Sequence, residues 1–161
     1  MQPPPASGVR LPWSELPPRI RSSIAAWLGA PVVSVRSQPG GFSPGVAARV
    51  RAANGRRAFV KATSPAQNPD SPRIYRQEAR IVAALPASAP VPRLLWSLDE
   101  GADGWVVLAF EDIDGRNPAL PWRAAELERV LAALTSLAAT LTPSPIQAPT
   151  AGEKFVRSFR C

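Results

Sequence analysis

Residues 46–62, with the sequence VAARVRAANGRRAFVKA, carry the pattern of an antiparallel β-hairpin. The pair Asn54-Gly55 is the strongest two-residue hairpin signal, because a type I′ turn needs positive φ at both positions. In the second arm, side chains alternate between the two faces of the strand, which places Phe59 and Lys61 on the same face. We therefore expect a sheet that is built outward from this hairpin.

Apolar patterns on both sides of the hairpin predict the remaining elements. Helical spacing predicts helices over residues 14–28, 73–85 and 123–141, and short apolar runs predict further strands near residues 32–35, 94–99 and 105–110. This order predicts an α+β fold with a mostly antiparallel five-stranded sheet. One helix packs on the sheet, with an N-terminal helix before it and the first helix of a helical segment after it.

The composition limits the classes of function. The chain has 161 residues, 45% of them hydrophobic, which predicts a globular protein rather than a disordered one. It has no histidine, which excludes an imidazole base and histidine-based zinc sites, and its single cysteine, Cys161, excludes an internal disulfide. No apolar run approaches the ~20 residues of a membrane helix, and no secretory signal begins the chain. These features predict a soluble cytoplasmic protein.

The charge is strongly basic, with 19 basic and 12 acidic residues and a formal net charge of +7. Such a balance leaves a nucleic-acid partner open. The basic residues are scattered along the chain, however, and the tightest cluster lies in the hairpin: Arg49, Arg51, Arg56 and Arg57. Because no basic stripe is present, the solvated side of a hairpin is the favoured interpretation and nucleic acid is disfavoured.

Lys61 and Glu78 are predicted to form an ion pair. Glu78 lies within the apolar stripe of the helix predicted over residues 73–85, at helical spacing from its members. A carboxylate buried there costs several kcal/mol unless a cation meets it, and Lys61 on the adjacent strand is the natural partner. Two alternatives remain open: Glu78 reaches water at the edge of the stripe, or Lys61 is an exposed strand lysine. The members of the stripe are Ile74, Ile81, Val82 and Leu85.

A glycine-rich loop at residues 38–45 precedes the hairpin. Its glycines allow the backbone to approach a ligand closely, Ser43 offers a hydroxyl, and successive backbone N–H groups in such a turn favour anions. A simple turn between two strands is the alternative. The glycines are Gly40, Gly41 and Gly45.

In their order and spacing, these motifs resemble the aminoglycoside phosphotransferase family, whose members have a protein-kinase-like fold. The resemblance extends from about residue 30 to residue 142 and corresponds to the amino-terminal lobe of that fold. Four stretches carry it: QPGGFSPG at 38–45, AFVK at 58–61, YRQEA at 75–79 and LAFEDIDG at 108–115.

The resemblance implies a site for ATP or GTP and, in complete family members, a small-molecule phosphate acceptor and Mg²⁺. The glycine-rich loop would cover the phosphates, and Lys61, held by Glu78, would contact the α- and β-phosphates. Phe110 would form the inner wall of the base pocket, beside the backbone of a hinge. The implied nucleotide-binding residues are Gly40, Gly41, Ser43, Gly45, Lys61, Phe110, Glu111 and Ile113.

The sequence departs from the family after the hinge. The family has a His-x-Asp catalytic loop and a later Asp that binds Mg²⁺, whereas this sequence has no histidine and no such acidic motif. We expect a truncated member that lacks the catalytic base and metal ligands. Residues 1–30 would be a tail and helix, 31–115 the kinase-like lobe with its hinge, and 116–161 the start of an incomplete helical lobe. A basic nucleic-acid-binding domain and a partner-binding pseudoenzyme are the alternatives.

Overall fold

Residues 10–38 and 43–147 are described by the structure, a computed structural model of the chain. Residues 1–9 of the predicted N-terminal tail lie outside them. A short 3-10 helix, Trp13–Glu15, precedes the first α-helix. The helices are α1 (Pro18–Leu28), α2 (Ser71–Ala84) and α3 (Ala124–Leu141), and the strands are β1 (Val32–Ser37), β2 (Val46–Ala52), β3 (Arg57–Thr63), β4 (Leu94–Asp99) and β5 (Val106–Phe110).

The described residues divide into two compact units. The first contains the chain up to Val82 together with Pro92–Gly115, and the second contains Ala83–Val91 and the chain from Arg116 onward. The first unit therefore includes α1 and the whole sheet, and α3 belongs to the second. All of the site residues described below lie in the first unit.

The five strands form one sheet in the order β1-β2-β3-β5-β4, and each neighbouring pair is antiparallel. The predicted hairpin joins β2 and β3, but its turn is not of type I′, because Gly55 has a φ of 85° whereas Asn54 has no positive φ. Every residue of β5 is buried, as its continuous apolar run predicts, because both faces of this strand are covered. The α+β fold with a five-stranded antiparallel sheet is confirmed.

Helix α1 covers one face of the sheet. The apolar patterns predict one helix on the sheet, whereas the structure places two there. Ile20, Ile24 and Leu28 recur at every fourth position and are 0% exposed, in one cluster with Val60 and Val107 of the sheet. Burial of each such side chain contributes roughly 1.5–3 kcal/mol, so α1 is an integral part of the core.

Helix α2 covers the opposite face of the sheet. Its Tyr75 and Ala79 pack against Leu108 and Phe110 of β5. The predicted stripe is wrong at Ile74, which is 51% exposed. Successive helical residues differ in direction by about 100°, and the larger ring of Tyr75 takes the buried position instead.

The end of β4 is held by both helices. Asp99 accepts two hydrogen bonds from Arg76 of α2, each 2.8 Å long, and Glu100 accepts two from Arg19 of α1, at 2.9 and 3.0 Å. The hydrogen bonds from Arg76 and Arg19 are the main reason why the pKa of each carboxyl group lies below its ordinary value. Neighbouring acidic residues thereby join α1 and α2 to the same end of the sheet.

The second unit is organised around the start of α3. The carboxylate of Glu126 accepts a 2.7 Å hydrogen bond from the N–H of Ala119 and another from Arg116. These two contacts lower the pKa of Glu126, and the hydrogen bond from the Ala119 N–H has the larger effect.

In the described part of the chain, none of the helices has the length and apolar character needed to cross a membrane. The exposed leucines of α3 include Leu127, Leu131 and Leu134.

Candidate functional site

Lys61 of β3 and Glu78 of α2 form the ion pair that the sequence predicts. The Nζ atom of Lys61 donates hydrogen bonds to both carboxylate oxygens of Glu78, at 2.8 Å to Oε1 and 2.5 Å to Oε2. Their side chains are 22% and 31% exposed, so the pair is held in place and still reaches solvent. The alternative of an exposed strand lysine without a partner is not found, whereas Glu78 does reach water, as its alternative has it, while it keeps the ion pair with Lys61.

The register of the sheet explains why Lys61 faces α2. Lys61 lies opposite Ala47 of β2 and opposite Leu108 of β5. Leu108 belongs to the apolar cluster under α2, whereas Val60, the preceding residue of β3, belongs to the cluster under α1. The alternation predicted for this strand is therefore present, and it directs the ammonium toward the helix that carries Glu78.

Tyr75 completes this cluster, although it is not among the residues predicted from the sequence. Its ring centroid lies 4.5 Å from Nζ of Lys61, a cation–π contact typically worth ~0.5–1 kcal/mol when partly exposed. Its phenol oxygen forms a 3.1 Å hydrogen bond with Oγ of Ser43, and the residue is 2% exposed. The available signal was its position three residues before Glu78, because residues at i and i+3 share a side of a helix.

The glycine-rich loop is described only from Ser43 onward. Gly40 and Gly41, predicted to contact phosphate, lie outside the described residues. A Cβ atom on Gly45 would lie 2.3 Å from the carbonyl oxygen of Ala62, far below a normal contact distance. This close approach to β3 is by itself enough to require glycine at position 45, whether or not the loop binds a ligand.

The remaining predicted site residues lie at the end of β5 and in the segment that follows it. Phe110 is 6% exposed and lies opposite Phe59 on the face that also carries Lys61. The N–H of Glu111 donates a 2.9 Å hydrogen bond to the carbonyl of Arg93, so this donor is already engaged. Ile113 is 54% exposed. The structure thus brings Phe59 and Phe110 together and leaves Ile113 at the surface.

The hydrogen-bond donors at this site suit an anion. Within residues 10–38 and 43–147, no three acidic or cysteine side chains lie close enough together to hold a metal ion. The cluster around Lys61 instead offers an ammonium group and the hydroxyl of Ser43. Such charge-assisted and neutral donors suit phosphate oxygens.

Two features of this site are typical of a kinase-like amino-terminal lobe. A lysine of a strand is paired with a glutamate of a helix, and a short segment follows a buried strand. A profile of the phosphotransferase enzyme family, abbreviated APH, matches residues 35–155. The chain therefore belongs to the phosphotransferase enzyme family. The matched region includes all four stretches on which the resemblance was based. No curated protein and no solved structure shows a significant match to the chain.

Proposed function

We propose that residues 31–115 are the nucleotide-binding lobe of an ATP-dependent phosphotransferase that acts on a small molecule, as aminoglycoside phosphotransferases do. The observation that carries this proposal is the contact of Lys61 Nζ with both carboxylate oxygens of Glu78. A lysine that is held in one position presents a fixed positive charge to the phosphates of a nucleotide.

The two ends of the nucleotide have separate binding residues in this proposal. Lys61 contacts the α- and β-phosphates, and Phe110 forms the inner wall of the base pocket. The backbone at Glu111 and Ile113 contacts the edge of the base, which is adenine or guanine. The loop residues that cover the phosphates are Gly40, Gly41, Ser43 and Gly45.

We also propose that these 161 residues bind nucleotide without transferring its phosphate. The sequence contains no histidine and therefore lacks the His-x-Asp motif of the family's catalytic loop. Loss of a general base typically lowers a rate by ~10²–10⁴-fold. We expect no release of nucleoside diphosphate above a buffer blank when the chain is incubated with ATP, Mg²⁺ and an aminoglycoside. Turnover that depends on the aminoglycoside would contradict this part of the proposal.

Isothermal titration calorimetry with ATP and GTP tests nucleotide binding. Lys61→Ala is expected to weaken binding at least about tenfold, equivalent to about 1.4 kcal/mol. The matched control is Arg73→Ala, which removes one positive charge from a side chain of α2 that is 69% exposed. This control is expected to bind like the wild type. Absence of binding by the wild type, or equal binding by both variants, would contradict the proposal.

A further inference from the structure

Four arginines lie on the sheet face that carries Lys61, next to the part that α2 covers. The register places Arg36 of β1 opposite Arg49 of β2, and Arg51 of β2 opposite Arg57 of β3. Like charges in directly opposed positions destabilise a sheet. An anion next to these arginines would therefore reduce the repulsion between them and stabilise this part of the sheet.

Asp112, two residues after the end of β5, supplies that anion. Its Oδ1 lies 2.5 Å from Nε of Arg49 and its Oδ2 lies 3.5 Å from Nε of Arg57. The carboxylate side chain is only 6% exposed. Asp114 has a much weaker contact, because it lies 3.8 Å from Arg49 and is 82% exposed. The hydrogen bond to Asp112 is also the main cause that raises the pKa of Arg49.

These contacts lie at the base end of the proposed nucleotide site. Arg49 is opposite Phe59 in the sheet, and Phe59 is opposite Phe110, so the ion pair is next to the aromatic pair. Lys61 is two residues further along β3 and faces the phosphate end. The two ends of the site therefore have different ion pairs: Lys61 with Glu78 at the phosphate end, and Asp112 with Arg49 and Arg57 at the base end.

We propose that Asp112 is a positioning residue for nucleobase binding, an inference that rests on the proposed function. By pairing with Arg49 and Arg57, it fixes the segment that holds Glu111 and Ile113 against β2 and β3. The backbone groups of this segment can contact the edge of the base only when the segment keeps one position. Pre-organisation of this kind raises affinity by reducing the entropy lost on binding.

Calorimetric titration of the full chain with three ligands tests this role. Adenosine reports the base end, inorganic tripolyphosphate reports the phosphate end, and ATP reports both. Asp112→Asn is expected to weaken the binding of adenosine and of ATP by a similar factor, about tenfold, because pre-organisation of the base end is lost. Binding of tripolyphosphate is expected to stay unchanged. The matched control, Asp114→Asn, removes the same charge two residues away and is expected to leave all three affinities unchanged.

A second variant protects the test against a general loss of folding. Arg57→Gln removes only the longer contact, from a side chain that is 46% exposed, and is expected to weaken adenosine binding less than Asp112→Asn does. Equal adenosine affinities for Asp112→Asn and Asp114→Asn would overturn the inference. The inference would also be overturned if, in both Asp112→Asn and Arg57→Gln, the binding of tripolyphosphate weakened by the same factor as the binding of adenosine. If Lys61→Ala leaves ATP and tripolyphosphate binding unchanged, the proposed function itself fails, whatever Asp112→Asn does.

Discussion

The phenol oxygen of Tyr75 lies 3.1 Å from Oγ of Ser43, and this hydrogen bond joins the glycine-rich loop to helix α2. The same ring lies 4.5 Å from Nζ of Lys61. One side chain therefore contacts both the loop and the lysine that are proposed to bind phosphate. Its 2% exposure means that the ring is also part of the core, so the two roles need to be separated experimentally.

A double-mutant cycle measures the link between Tyr75 and Ser43. Tyr75→Phe and Ser43→Ala each remove one partner and keep the ring or the backbone, and each is expected to lower the free energy of unfolding by about 0.5–1.5 kcal/mol. Because both variants remove the same hydrogen bond, the double variant is expected to be little worse than either single one. Urea unfolding measures all four proteins.

The control for this cycle is Ser23→Ala. Ser23 donates a hydrogen bond within α1, to the carbonyl of Arg19, and α1 packs on the sheet face opposite to the one that Tyr75 covers. Its effect and that of Tyr75→Phe are expected to add. Additive effects in the Ser43 cycle as well would show that the hydroxyl contact makes no contribution to stability.

Glu78→Gln separates positioning of Lys61 from stability of the fold. The side chains of Lys61 and Glu78 are 22% and 31% exposed, and solvent weakens such a pair, so a stability loss under about 1 kcal/mol is expected. ATP affinity is expected to fall about fivefold, because the lysine is no longer held for the phosphates. Glu15→Gln removes the same charge at an exposed position and is expected to change neither quantity. A large loss of stability with unchanged ATP affinity would assign the pair to the fold alone.

Gly45→Ala tests whether the last loop glycine is required by packing. The added Cβ would lie 2.3 Å from the carbonyl oxygen of Ala62, an atom of a central strand that cannot move easily. We expect a loss of about 1–3 kcal/mol in the free energy of unfolding, typical of overpacking. At Gly115 the same atom would meet only Cγ2 of Ile113 at 4.0 Å, so Gly115→Ala is the control and is expected to change little. If Gly45→Ala and Gly115→Ala change the free energy of unfolding equally, the backbone of β3 moves enough to accommodate the added Cβ.

Local patterns were sufficient for much of the sheet and for the ion pair. The positive φ of Gly55 and the two-residue alternation of β3 are properties of a few neighbouring residues, and they place Phe59 and Lys61 correctly. Glu78 followed from its spacing to Ile81 and Val82, because a carboxylate on the packed side of a helix needs a cation, although Ile74 of the same predicted stripe is exposed. Such features depend little on the rest of the chain.

Contacts that depend on the rotation of an element, or on distant partners, could not be predicted in the same way. Ile74 and Tyr75 are adjacent and both apolar, and the choice between them depends on how α2 sits on β5. Arg49 and Asp112 are 63 residues apart, and their contact requires the register of three strands. The packing of α1 on the sheet face opposite to α2 likewise could not be predicted from neighbouring residues, because it depends on distant strands.

The paired acids at the end of β4 predict a specific loss of stability in acid. Asp99 and Glu100 have a lowered pKa in the folded protein, mainly because of hydrogen bonds from Arg76 and Arg19. The unfolded chain therefore binds protons more readily as the pH falls. The stabilisation is complete above the unfolded pKa values, near 4, and is lost as the pH falls through the lower folded values.

Urea unfolding at pH 7 and pH 3 measures this dependence. Asp99→Asn and Glu100→Gln are each expected to be less stable than the wild type at pH 7, since an arginine loses its charged partner. Each variant is also expected to lose less stability between pH 7 and pH 3, because one carboxyl group with a lowered pKa is gone. Asp103→Asn changes the charge equally at an exposed turn and is expected to keep the wild-type dependence. If all three variants share one pH dependence, the general charge of the chain, and not the two arginine contacts, determines its stability in acid.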